Sequence, residues 1–126
     1  RESPAIFVVD KLLKEGANLI IHDPQVSKEQ IHKDLLFYQR NNSTKKPYYN
    51  SQDNLGSWNY TSELKDVFDN AHAVIILTEW TEYSILDWEK ISNQILNTAW
   101  IFDTRNVLNK VDFEKFNANI WKIGNG

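Results

Sequence analysis

Apolar positions in this chain fall into short clusters whose spacing switches between helical and extended. Ala5, Ile6, Val8, Val9, Leu12 and Leu13 recur at three- and four-residue intervals, which gathers them on one face of a helix. Ser3-Pro4 predicts its start. A serine accepts hydrogen bonds from the unpaired N–H groups there, and proline at the first helical position loses no needed donor. Lys14 and Gly16 predict its end, a cation against the negative pole followed by a glycine stop. Leu19-Ile20-Ile21-His22 is an unbroken apolar run halted at Asp23-Pro24, which predicts a buried strand. Ser27 to Leu36 predicts a second helix, with Ser27 as cap and Ile31, Leu35 and Leu36 facing inward.

From about Tyr38 to Tyr60 the periodicity breaks down into Asn, Ser, Lys, Asp and Gly, interrupted by Tyr48, Tyr49 and Trp58, and predicts a long irregular insertion. A helix capped by Thr61 or Ser62 and running to Asn70 comes next. Ala73-Val74-Ile75-Ile76-Leu77 has no alternation, as in a strand covered on both faces. Asp87 to Leu96 is amphipathic through Trp88, Ile91, Ile95 and Leu96, Ala99 to Asp103 is a third buried strand, and Asn106 to Phe116 is a helix or helical turn. Ile120 to Ile123 is a last short strand. Strands that alternate with helices in this way predict an α/β fold: three layers, a mostly parallel, doubly wound, Rossmann-like sheet with helices on both faces. The order begins with a helix where such folds begin with a strand, so a preceding strand is expected outside these residues.

Composition narrows the chemistry. The 126 residues suit a single domain, with 41% hydrophobic and 25% charged positions. With no cysteine there is no disulfide, no zinc–thiolate or iron–sulfur site and no cysteine nucleophile within these residues. A net charge of −3 gives no general attraction to polyanions, which argues against nucleic acid as a partner. No apolar run approaches the roughly 18 residues of a membrane helix, and no basic, apolar leader is present. A cytoplasmic setting without membrane attachment is expected. The chain starts at Arg1 and contains no methionine, so it reads as a piece of something longer.

No glycine-rich phosphate loop, zinc-binding helix or nucleophile elbow occurs. His22, His32 and His72 lack ligand spacing, and no metal site is expected. In doubly wound sheets ligands bind beyond the carboxyl ends of the strands. Three segments lie there: His22-Asp23-Pro24, Thr78-Glu79-Trp80-Thr81-Glu82 and Asp103-Thr104-Arg105. Asp23 without a glycine fingerprint reads as a turn starter. Glu79 and Glu82 read as a solvated loop, and Trp80 as packing. Arg105 offers a planar, permanently charged fork suited to phosphate or carboxylate, or it pairs with Asp103 or a neighbouring helix. Arg1 stands just before a helix start, where free N–H groups and the helix dipole already favour anions.

Four segments occur in the order found in UDP-glucose 6-dehydrogenases: Arg1 to Ala5, His22-Asp23-Pro24, Ala71 to Trp80 and Ile101 to Leu108. Together they resemble the C-terminal, UDP-binding domain of that family, over essentially the whole chain. The resemblance implies an NAD-dependent enzyme that oxidises the C6 alcohol of UDP-glucose twice, giving UDP-glucuronate. It further implies an N-terminal NAD-binding domain and a central dimerisation region outside these residues, and a homo-oligomeric full-length enzyme. By motif, Arg105 corresponds to the family's substrate-binding arginine, in contact with UDP or UDP-glucose. Arg1 corresponds to an arginine on the NAD side of the cleft. Thr104 stands where the family often has glycine. The catalytic groups lie outside the chain, so these 126 residues alone are expected to bind UDP-sugar without turnover. The same domain of a UDP-N-acetylmannosamine or GDP-mannose dehydrogenase, or a nucleotide-binding module without catalysis, are the alternatives.

Overall fold

A computed structural model describes residues 4–42 and 55–124. They form two compact units, divided after Ser62. The predicted α/β character holds in both, and every strand pair is parallel.

In the first unit, helix α1 (Pro4–Lys14) turns its buried residues Ile6, Val9, Asp10 and Leu13 to one side, the spacing that 3.6 residues per turn requires. Gly16 follows at φ 90°, a left-handed conformation that costs glycine no Cβ clash. Strand β1 (Asn18–Ile21) pairs with β2 (Ser57–Tyr60), Leu19 opposite Trp58 and Ile21 opposite Tyr60. Helix α2 (Lys28–Asn42) lies between them in sequence and buries Ile31 and Leu35 against the α1 face. Ser27 caps α2 as expected, its Oγ accepting from the Gln30 N–H at 3.1 Å. The Asp10 carboxylate, only 2% exposed, is satisfied by Lys14 Nζ at 3.0 Å and by the Gln39 side-chain amide at 2.9 Å.

The irregular stretch expected over 38–60 is shorter than predicted. Helix α2 continues to Asn42, and 57–60 is a strand. Polar composition concealed both, because α2 is held by Ile31 and Leu35 upstream and β2 by ladder bonds to β1. Tyr48, Tyr49, Lys45 and Lys46 lie outside the described residues.

In the second unit, β3 (Ala73–Ile76), β4 (Trp100–Asp103) and β5 (Asn119–Lys122) form a sheet in that order. Helix α3 (Trp88–Gln94) is capped by Asp87, whose Oδ1 accepts from the Lys90 N–H. Ile76, Ile101, Trp88, Ile91, Leu108 and Phe113 are among the core residues, Ile101 and Leu108 with no exposed surface. The Trp88 indole is also satisfied, donating to the Tyr83 carbonyl at 2.8 Å. Exposure alternates along the strands, where unbroken apolar runs predict cover on both faces. Ala73, Ile75, Trp100 and Trp121 stay exposed, and Trp100, Phe102 and Trp121 form an aromatic row with centroids 6.3 and 6.5 Å apart.

The helix expected from Thr61 or Ser62 to Asn70 is reduced to a 3-10 turn, Leu64–Asp66, and of the helix or helical turn expected over 106–116 the turn forms, Phe113–Lys115. The first turn has no side-chain cap at Glu63, and Asn106 opens the second stretch with a left-handed backbone, φ 59°, from which no right-handed helix starts.

Candidate functional site

The carboxyl ends of β3 and β4 bring the strongest sequence candidates together. Asp103, the last residue of β4, has no exposed surface. Its Oδ1 accepts from the N–H groups of Arg105 and Val107, both at 3.1 Å, and its Oδ2 from Leu108 at 2.8 Å. A buried carboxylate saturated by backbone donors makes a rigid staple, and this one folds the chain back immediately after the strand. Thr104 ties the neighbouring strand in. Its Oγ1 donates to the Ile76 carbonyl at 2.6 Å, and its N–H donates to the same oxygen at 3.3 Å. The Thr104 side chain thus cross-links the two strand ends.

Arg105 emerges from this staple with its side chain 40% exposed. Of the two arrangements the sequence allowed, an ion pair with Asp103 does not form, since that carboxylate is occupied by main-chain N–H groups. The Arg105 Nη2 instead meets Glu79 Oε1 at 2.8 Å, beyond the end of β3. Glu79 is 65% exposed, and an ion pair this open to water contributes at most about 1 kcal/mol. Glu82 belongs to the 3-10 turn Thr81–Tyr83. Trp80 is half-buried against the core as packing predicts, yet its buried indole N–H has no hydrogen-bond partner.

Asp23 and His32 belong to the first unit. Asp23 is a turn former as expected, its Oδ1 accepting from the N–H groups of Gln25 at 2.8 Å and Val26 at 3.1 Å. His32 stacks on Trp58 at 6.4 Å. Among the described residues no group of three potential ligands could hold a metal ion. Arg1 lies outside the described residues. Sequence reasoning missed the Glu79–Arg105 pair, although the parallel register of β3 and β4 was the signal for it: two strand-end loops one ladder apart must meet.

This strand-end arrangement accompanies a sequence match. The profile of the UDP-glucose/GDP-mannose dehydrogenase family, UDP binding domain, matches residues 1–110. The chain belongs to this family. UDP-glucose 6-dehydrogenase 1 of Arabidopsis thaliana is 32% identical over 126 residues, covering 98% of the chain and 26% of the relative. UDP-glucose 6-dehydrogenase of Bos taurus is 38% identical over 109 residues, covering 86% of the chain and 20% of the relative. The chain thus spans about a quarter of the length of the relatives it matches, and within the UDP-glucose/GDP-mannose dehydrogenase family it corresponds to the C-terminal, UDP-binding domain. Arg105 and its Asp103 staple fall within the matched residues. Among the described residues no helix is long and apolar enough to cross a membrane.

Proposed function

We propose that this chain is the UDP-sugar-binding domain of an NAD-dependent UDP-glucose 6-dehydrogenase, with Arg105 contacting the diphosphate. The observation that carries the reading is the presentation of Arg105, whose backbone is held by a fully buried carboxylate while its guanidinium reaches solvent beyond the strand end. Strand-end loops of parallel sheets are where ligands of α/β folds bind, and a guanidinium fork matches phosphate oxygens two at a time. The Glu79 contact engages one terminal nitrogen of that fork.

NAD chemistry belongs to the remainder of the enzyme. The loop after β1 has no glycine-rich turn to approach a pyrophosphate, and Asp23 there is engaged in its own turn. The described residues do not fit a dinucleotide site. NAD is held by the N-terminal domain, with Arg1 reaching towards it, and the complete enzyme oxidises UDP-glucose to UDP-glucuronate as a cytoplasmic homo-oligomer. The chain as one domain of that enzyme closes over UDP and carries no catalytic group.

Calorimetric titration of the chain with UDP and UDP-glucose tests this. Similar affinities for the two, weakened by about 10- to 150-fold in Arg105→Ala, are expected from losing a hydrogen bond to a charged group. Unchanged binding in that variant, or NADH production by the 126 residues alone, overturns the reading.

A further inference from the structure

We infer that Glu79 is a built-in counter-anion that competes with the ligand diphosphate for Arg105 and thereby sets how tightly the strand-end site holds it. The inference rests on the diphosphate reading of Arg105 and adds a residue that limits affinity. Glu79 Oε1 lies 2.8 Å from Arg105 Nη2, the distance of a charge-assisted hydrogen bond. The two residues follow adjacent parallel strands, and Thr104 locks those strand ends together through the Ile76 carbonyl. The Asp103 staple holds the Arg105 backbone, so an incoming anion must come to the guanidinium rather than draw the chain towards itself.

Carboxylate and phosphate oxygens seek the same guanidinium hydrogens. Were Glu79 to stay in place, it would set a carboxylate beside a multiply charged diphosphate on one cation, and like charges brought together at a binding surface are disfavoured. Binding is therefore an exchange, in which Glu79 leaves as the diphosphate arrives and returns as it departs. Its exposure of 65% makes that exchange feasible, because a carboxylate in water loses little when it swings free. The competing anion acts only on ligands that use Arg105 and leaves recognition of the nucleoside untouched. Since UDP is common to a UDP-sugar substrate and its product, a counter-anion here loosens the hold on both and favours release.

Calorimetry with UDP and with uridine, on the wild-type chain and on Glu79→Gln, Glu79→Ala, Arg105→Ala and Glu79→Gln/Arg105→Ala, tests the competition, with melting curves establishing that each variant is folded. Removing the carboxylate is expected to tighten UDP binding about two- to fivefold, the range that an exposed ion pair can withhold. Uridine affinity is expected to stay the same, and the double variant to match Arg105→Ala. Equal or weaker UDP binding in both Glu79 variants overturns the inference and makes Glu79 a positioning residue. A gain that persists without Arg105 also overturns it, leaving only a long-range charge effect. If UDP binding does not depend on Arg105 at all, the diphosphate reading falls and this inference with it. Arg105 dependence without a Glu79 effect removes the inference alone.

Discussion

Thr104 Oγ1 donates to the Ile76 carbonyl at 2.6 Å, so the residue after β4 is bonded to the last residue of β3. This bond extends the β3–β4 ladder beyond its register and holds the Arg105 and Glu79 loops at a common level. Thr104→Val keeps the shape and removes the donor, and is expected to lower unfolding stability by about 0.5–1.5 kcal/mol in urea melts. Thr104→Ser, which retains the hydroxyl, is expected to lose less. A larger loss in Thr104→Ser than in Thr104→Val would show that the methyl group, not the bond, matters here.

Asp103 carries a larger share of the same turn. Asp103→Ala leaves the Arg105, Val107 and Leu108 N–H groups without their acceptor, in a place where Leu108 has no exposed surface. With the stranded buried donor at Leu108 costing roughly 1–3 kcal/mol and the part-buried donors of Arg105 and Val107 adding less, a loss of about 2 kcal/mol or more is expected. Denaturant unfolding would read it, and a loss below 1 kcal/mol would mean that water replaces the carboxylate.

Gly56 sits against the backbone of Ala17, and an added Cβ would lie 1.8 Å from the Ala17 carbonyl oxygen. The Gly56 N–H also donates to the Leu13 carbonyl at 2.7 Å, which fixes how the chain enters β2. Gly56→Ala is therefore expected to destabilise the first unit by about 2–3 kcal/mol or more, since backbone cannot move aside as a flexible side chain does. Hydrogen exchange should localise the loss to β1 and β2; protection there equal to wild type would contradict the clash.

Asn106 holds φ 59° directly after Arg105. Asn106→Ala is expected to cost about 1 kcal/mol, because a Cβ without a compensating polar group is strained in the left-handed region. Asn106→Gly is expected to be within about 0.5 kcal/mol of wild type, its easier backbone offset by a freer unfolded chain. A thermal melt ranks the two variants, and an alanine variant as stable as the glycine one would exclude strain at this turn.

Strands and the firmer helices were legible in the chain because their signals are local. The β-rich runs at 19–21, 73–76 and 100–103, the helical spacing of Ile6, Val9 and Leu13, and the Ser27 cap each operate within a few residues. Arg105 was legible as an anion candidate for the same reason, since only its place after a buried strand had to be read. Strand β2 was not, as Ser57 and Asn59 weaken its signal and its partner is β1, some forty residues back in the chain.

The sequence by itself determined the α/β class, the order of the main elements and the resemblance to a UDP-binding domain, because these rest on residue type and short spacing. Only the tertiary structure decided that Asp103 binds main-chain N–H groups rather than the Arg105 guanidinium, that Thr104 spends its hydroxyl on Ile76, and that Arg105 meets Glu79. Those choices depend on which strands lie side by side and in what register, and parallel pairing joins segments too far apart in the chain for any local pattern to record.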